Sequence, residues 1–153
     1  MKLANDLKEF LQLLHSHGVE FVVVGGHAVA FHGFPRFTGD LDIFVGTAAK
    51  NAQAILAALA AFGFSGLLEQ EDLLMEGRVI QLGRPPNRVD LLTSISGVAF
   101  KSACEEAVDG VLGGVPVKFL SYAHVLANKR ASGRPKDLLD VQVLEDLATK
   151  PGR

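Results

Sequence analysis

The sequence predicts a mixed α/β domain in which helices pack on a small mixed sheet. Two observations carry the prediction. Short β-branched and aromatic runs recur at Val19–Gly26, Thr38–Gly46 and Arg88–Ile95, two of them bounded by glycine. Between them stand segments whose apolar residues follow helical spacing. Strands and helices alternating in this order favour one layered core. At 153 residues the chain fits a single domain, 1–153, with a C-terminal helical part over about 121–149.

Each element has its own local reason. Leu3, Leu7, Phe10, Leu11 and Leu14 share one helical face, and Gly18 stops that helix. "VEFVVVGG" reads as a buried strand, and a short helix is expected directly after Gly26. "TGDLDIFVG" is a second strand. "TAAKNAQAILAALAAFGF" is a helix with Thr47 as its expected N-cap and Gly63 near its C-terminal end. Weaker strand signals lie at Phe64–Leu68 and Arg78–Leu82, before a turn at Arg84–Asn87. "RVDLLTSI" is a third clear strand, and residues 96–107 read as a helix. Short strands are expected on either side of a Gly113-Gly114 turn. From Ser121 the chain is helical, broken at Gly133-Arg134-Pro135.

Composition excludes several classes. Hydrophobic residues make up 48% and charged residues 21%, a balance that builds a core rather than a disordered chain. The single cysteine, Cys104, rules out an internal disulfide framework. No paired Cys/His spacing suggests structural zinc. "MKLANDLKEF" places charges where an export signal needs an apolar core, and the longest apolar run, Ala54–Phe64, falls short of the ~20 residues that span a bilayer. The expectation is a cytoplasmic protein without membrane attachment. A net charge of −2 argues against coating nucleic acid by bulk charge and leaves room for a local basic site.

The chemistry concentrates in "VVVGGHAVAFHGFPRFTGDLDIFV". Residues i and i+2 of a strand share a face, so Asp40 and Asp42 would project side by side while Leu41 and Ile43 face the core. Two ionised carboxylates this close repel, and burying both is costly without a cation. A divalent metal would supply one; a solvated sheet face is the plain alternative. Asp90, embedded in the apolar "RVDLLTSI", offers a third carboxylate from a neighbouring strand. Gly25-Gly26 places a tight turn at a helix start, a geometry that suits phosphate. It is neither a Walker loop nor a dinucleotide fingerprint, because the residues that define those are missing.

Taken together, "VVVGG…DLDIFV…VDLL" resembles the nucleotidyltransferase superfamily that includes DNA polymerase β. "GGHAVAFHGFPRFTGDLDIFV" with "ANKRASGRPKDLLDV" is similar to small prokaryotic stand-alone members, among them abortive-infection-type toxins. The likeness runs from about Val19 to Leu147. It implies a nucleotidyltransferase fold and transfer of a nucleoside monophosphate from an NTP to a hydroxyl of RNA such as tRNA, of a protein or of a small molecule. It also implies a toxin-like role opposite an antitoxin partner protein. By motif, Gly25 and Gly26 would hold the triphosphate. Asp40, Asp42 and Asp90 would be the catalytic carboxylates and the ligands of two magnesium ions, with manganese as a substitute. Asp90 would also help deprotonate the acceptor.

Many relatives carry serine where Gly26 or His27 stands here, which leaves backbone N–H groups or His27 to contact phosphate, or His27 simply packed at the turn. Arg36 and Thr38 alternate with Asp40 and join the nucleotide-binding candidates, Arg36 either on phosphate or paired with Asp40. Lys129 is the candidate lysine to approach the nucleotide; the alternative is a basic helix face balanced by Asp137 and Asp140. Two other classes remain open. One is a catalytically idle nucleotide- or partner-binding module on the same fold, and the other is a metal-dependent phosphohydrolase.

Overall fold

The β-branched runs assemble into one six-stranded mixed sheet. The computed structural model describes residues 4–34, 39–84 and 87–149. Strands β1 (Phe21–Val24), β2 (Leu41–Val45), β3 (Val79–Leu82), β4 (Val89–Leu92), β5 (Val108–Leu112) and β6 (Val115–Phe119) lie in the order β3-β4-β2-β1-β6-β5. The central pairs are mixed: β1 runs antiparallel to β2 but parallel to β6, and β2 runs parallel to β4. Antiparallel β3 and β5 form the two edges. The described helices are α1 (Asn5–Ser16), α2 (Gly25–Phe31), α3 (Ala49–Phe62), α4 (Phe100–Glu106), α5 (Tyr122–Ser132) and α6 (Pro135–Thr149). None of them is long and apolar enough to cross a membrane.

The core follows from the two periodicities. Leu7, Phe10, Leu11 and Leu14 of α1 are buried as their spacing requires, and Phe10 meets Phe62 of α3 edge to face at 5.4 Å. Leu3 lies outside the described residues. All four residues of β1 are buried, the mark of a central strand covered on both faces. In β2, Leu41 and Ile43 are fully buried on one face, while Phe44 on the other packs against Phe100 of α4 at 5.1 Å. Asp42 shares the face of Phe44 but lies at the end where that cover stops. The buried Asn51 ties α3 to the sheet, accepting from the Glu20 N–H at 2.7 Å and donating to Glu20 O and Gly46 O.

Three local expectations need correction. Thr47 does not cap α3; Ala48 holds the N-cap position and no side chain bonds there. By contrast, Ser121 caps α5, accepting from the His124 N–H at 3.1 Å. Phe64–Leu68 is not a strand. Gly63 sits at φ +100°, and the Phe64 N–H reaches back to Leu59 O at 2.8 Å, so the apolar Phe64 closes the helix end instead of extending a sheet. The chain then turns into a 3₁₀ segment, Gln70–Leu73. Finally, α2 starts at Gly25 rather than after Gly26. The Arg84–Asn87 turn is closed by the Asn87 N–H on Arg84 O at 2.9 Å, while Pro85 and Pro86 lie outside the described residues.

Gly25 is the position where the backbone demands glycine. Its φ is +67°, and a Cβ built there would run into the Asp42 side chain, 2.9 Å from its Cγ. Gly18, at φ +70° with open space around its missing Cβ, isolates the backbone part of the cost. Gly18→Ala is therefore expected to lose about 1 kcal/mol and Gly25→Ala at least about twice that, compared by urea denaturation. Equal losses would show that Asp42 does not press on the turn.

Candidate active site

Register decides what meets. Across the parallel β2/β4 pair, Asp42 stands opposite Asp90, and across the antiparallel β1/β2 pair it stands opposite Val24, the residue before the glycine turn. Paired residues of neighbouring strands direct their side chains to the same face, so the Asp42 and Asp90 carboxylates lie together beside Gly25. Asp40 precedes the first residue of β2. Burial raises the Asp42 pKa most, followed by the negative charges of Asp90 and Asp40. Arg88 opposes them without prevailing, and the carboxyl is pushed up from 3.8 to about 6.

Arg88 is the residue that sequence reasoning missed. Its Nη2 donates to Asp40 Oδ2 at 2.8 Å and to Asp90 Oδ2 at 3.3 Å. Its Nε lies 3.1 Å from Asp90 Oδ1, but the N–H is not aimed at that oxygen, so this contact is charge attraction without a hydrogen bond. The signal was available: Arg88 stands two residues before Asp90 in the same extended segment and therefore shares its face. In this structure the guanidinium bridges Asp40 to Asp90. Among the described residues no group of three or more His, Cys, Asp or Glu side chains is already spaced to hold a metal ion. The donor chemistry nevertheless suits one. Carboxylate oxygens are the ligands magnesium and manganese prefer, and burial together with the neighbouring acids disfavours an ionised Asp42 unless a cation joins it.

The carboxylates form one wall of a cleft of about 500 Å³. Gly25, Gly26, Asp40 and Asp42 line that side, while Asn128, Lys129, Arg134 and Lys136 line the other. The basic wall is built at the α5–α6 corner, where Gly133 at φ +68° turns the chain. The Lys129 Nζ lies 3.0 Å from Asp140 Oδ2 and 3.5 Å from Asp137 Oδ1. Both acids are buried. Lys129 thus stands in the cleft wall with its ammonium anchored on the two aspartates. Arg134 Nε donates to Asp137 Oδ2 at 2.7 Å, and Ser132 Oγ donates to the same oxygen at 2.8 Å. Burial alone would raise the Asp137 carboxyl, but the bonds from Arg134 and Ser132 and the charge of Lys129 bring it down to about 2.

Among the other candidates, His27 is 5% exposed, does not line the cleft, and has a pKa lowered by burial. It packs beside the turn. Arg36 and Thr38 lie outside the described residues.

The sequence from residue 3 to residue 151 matches a family described as nucleotidyl transferase of unknown function (DUF2204). The chain belongs to that family. Among solved structures it is similar to an antigenic nucleotidyltransferase-like protein from Paracoccidioides brasiliensis, at 16% identity and a TM-score of 0.47, covering 96% of this chain and 79% of that one. No curated protein gives a significant sequence match.

Two outcomes follow from the charges. A carboxyl whose pKa is raised in the folded state opposes folding increasingly as pH rises from about 4 through 6. Full transmission of the displacement would be about 3 kcal/mol; screening at this partly exposed group leaves about 1 kcal/mol, or about 2–4 °C. Asp42→Asn in EDTA should therefore raise the melting temperature by that amount at pH 8, with the gain gone below about pH 4. An unchanged melting temperature at pH 8 would mean the cluster is already neutralised.

Asp137 behaves oppositely, because its lowered pKa lends stability that is complete above about pH 4 and lost as pH falls towards 2. Asp137→Asn removes one partner of a buried charge network and should cost about 3 kcal/mol in urea at pH 7. The difference should shrink below pH 4; a pH-independent loss would indicate packing alone.

Proposed function

We propose that the cleft binds a nucleoside triphosphate with divalent metal and transfers its nucleoside monophosphate to a hydroxyl acceptor. The observation that supports this reading best is the placement of Asp42 opposite Asp90 beside the Gly25 turn, across one cleft from the anchored Lys129. Asp40, Asp42 and Asp90 would hold magnesium, or manganese in its place, which would neutralise phosphate charge and polarise the phosphoryl centre. The chain's own residues would position the rest. Missing side chains at Gly25 and Gly26 let the backbone approach the triphosphate, where the first N–H groups of α2 have no partner within their helix. Lys129 acts as a point charge towards phosphate, held in place by Asp137 and Asp140.

In the transfer itself, the acceptor oxygen forms a bond to the α-phosphorus. The bond from that phosphorus to the bridging oxygen breaks, and pyrophosphate leaves. The hydroxyl proton passes to an ionised carboxylate of the Asp42–Asp90 pair. Asp42 faces the cleft and Asp90 stands behind it, so Asp42 is the nearer acceptor. Positioning and charge neutralisation supply the catalysis without a covalent enzyme intermediate.

One observation favours the idle-module alternative: Arg88 supplies a cation of the chain's own between Asp40 and Asp90. Isothermal titration with each NTP decides between them. Transfer predicts binding that depends on magnesium, disappears in EDTA, and weakens at least about tenfold in Asp42→Asn. Label from α-³²P NTP should pass to an acceptor at least about a hundredfold more slowly in the variant. NTP affinity that is equal with and without metal, and equal in both proteins, would leave the idle module.

A further inference from the structure

The cleft does not end at its acidic wall. Beyond Leu92 and Ile95 it continues into a groove of about 460 Å³ between the β3–β4 end of the sheet and α5. Asn128, Ser132 and Arg134 line both compartments, whereas Gly25, Gly26, Asp40, Asp42 and Lys129 line only the first. Arg78, Ser94 and Ser96 line only the second.

The chemistry of the groove differs from that of the cleft. Among the described residues that line it there are two arginines and no carboxylate, so it attracts anions. Among the described residues Arg78 makes no ion pair, and its guanidinium donates one hydrogen bond, to the Met75 sulfur at 3.5 Å. Its backbone, by contrast, is fixed. The Arg78 N–H donates to Thr93 Oγ1 at 2.9 Å, and Arg78 O accepts from the Thr93 N–H at 3.0 Å. Thr93 is buried, so the arginine projects from a rigid base. Arg134 faces it with one edge held by Asp137 and most of its side chain in solvent, leaving donors free for a ligand. Asn128 pins the intervening loop by donating to Ser96 O at 2.9 Å. Among the described residues that line the groove none is aromatic, so they offer bases no stacking platform.

We propose that this groove is the acceptor site, and that the acceptor is the end of a single-stranded nucleic acid held by its phosphodiester backbone. The assignment of acceptor rests on the nucleotidyl-transfer reading; the assignment of a nucleic-acid ligand rests on the groove itself. A strand lying between Arg78 and Arg134 presents its terminal hydroxyl to the cleft past Leu92 and Ile95, from the side away from Gly25 and Gly26. Serine hydroxyls and the Asn128 amide line its path. Binding of this kind is sensitive to salt and indifferent to base identity.

The test uses fluorescence anisotropy of a fluorescein-labelled 12-nucleotide single-stranded RNA on the whole protein, with Mg²⁺–NTP affinity measured in parallel. Wild type should bind the RNA with affinity that falls as salt rises, and with similar affinity for oligonucleotides of different base composition. Arg78→Gln should weaken RNA binding at least about fivefold and lower the slope of log affinity against log salt by about 1, leaving Mg²⁺–NTP affinity within about twofold. Arg78→Lys should recover part of the loss. RNA affinity and salt slope unchanged in Arg78→Gln would overturn the proposal. So would a loss confined to NTP binding, because the groove would then hold the donor's ribose and base. Should wild type bind no NTP with magnesium, the transfer reading falls by itself, and the anisotropy result still decides whether the groove takes a nucleic-acid strand.

Discussion

Two carboxylates placed side by side in an apolar sheet are the constraint on which this structure depends. Asp42 and Asp90 meet because β2 and β4 pair in parallel with those residues in register. A slip of one residue would turn Asp42 to the opposite face, where Leu41 and Ile43 are now fully buried. The apolar residues therefore hold the acids in place, and the acids gain a proton or a cation instead of moving apart. The raised pKa of Asp42 and the bridging guanidinium of Arg88 are two partial answers to the same repulsion. Gly25 belongs to this constraint as well, since the turn can pass so close to Asp42 only without a side chain.

The opposite wall solves the converse problem. Lys129 would be costly to bury alone, and Asp137 and Asp140 would be costly to bury without it. Their mutual pairing, reinforced by Arg134 and Ser132, fixes the α5–α6 corner and leaves a cationic rim with its polar neighbours satisfied. The two walls thus carry opposite excess charge: Arg88 bonds acids of the first wall, and Lys129 and Arg134 bond acids of the second. A ligand bearing both phosphate and cation would complete both walls at once, whereas a bare anion would satisfy only the basic one.

Much of this was legible because the strands and acids obey local rules. The period-2 pattern of "DLDIFV" separates Asp42 from its apolar neighbours, and a glycine pair after a valine run marks a turn. What the sequence could not convey was non-local. That β4 lies next to β2 rather than next to β1 is a choice of strand order, and only that choice makes Asp90 a neighbour of Asp42. Arg88 followed from the same alternation but was read as the start of a strand rather than as a member of the acid face. Asp137 and Asp140 looked like ordinary helix-surface acids; their burial depends on how α6 folds back along α5. Thr47 and Phe64–Leu68 failed for another reason. Local propensity named a cap and a strand, and the packed helix end of α3 used neighbouring residues instead.

Arg88 decides how the acid wall should be understood. A guanidinium spanning Asp40 and Asp90 lowers their mutual repulsion but leaves Asp42 with a pKa near 6, so its compensation is incomplete where the cleft opens. Its single charge is spread over a planar group and satisfies oxygens at the edge of the cluster. A divalent ion concentrates twice the charge at one point and draws oxygens from all sides. Under the proposed function, Asp40 and Asp90, which Arg88 bonds here, would turn with Asp42 towards a metal, provided the strands hold their backbones fixed while the side chains rotate. Full burial of Leu41, Ile43 and Leu91 supplies that rigidity. Without it, exchanging a guanidinium for a metal would loosen the sheet; with it, such an exchange would be a local change of side-chain partner.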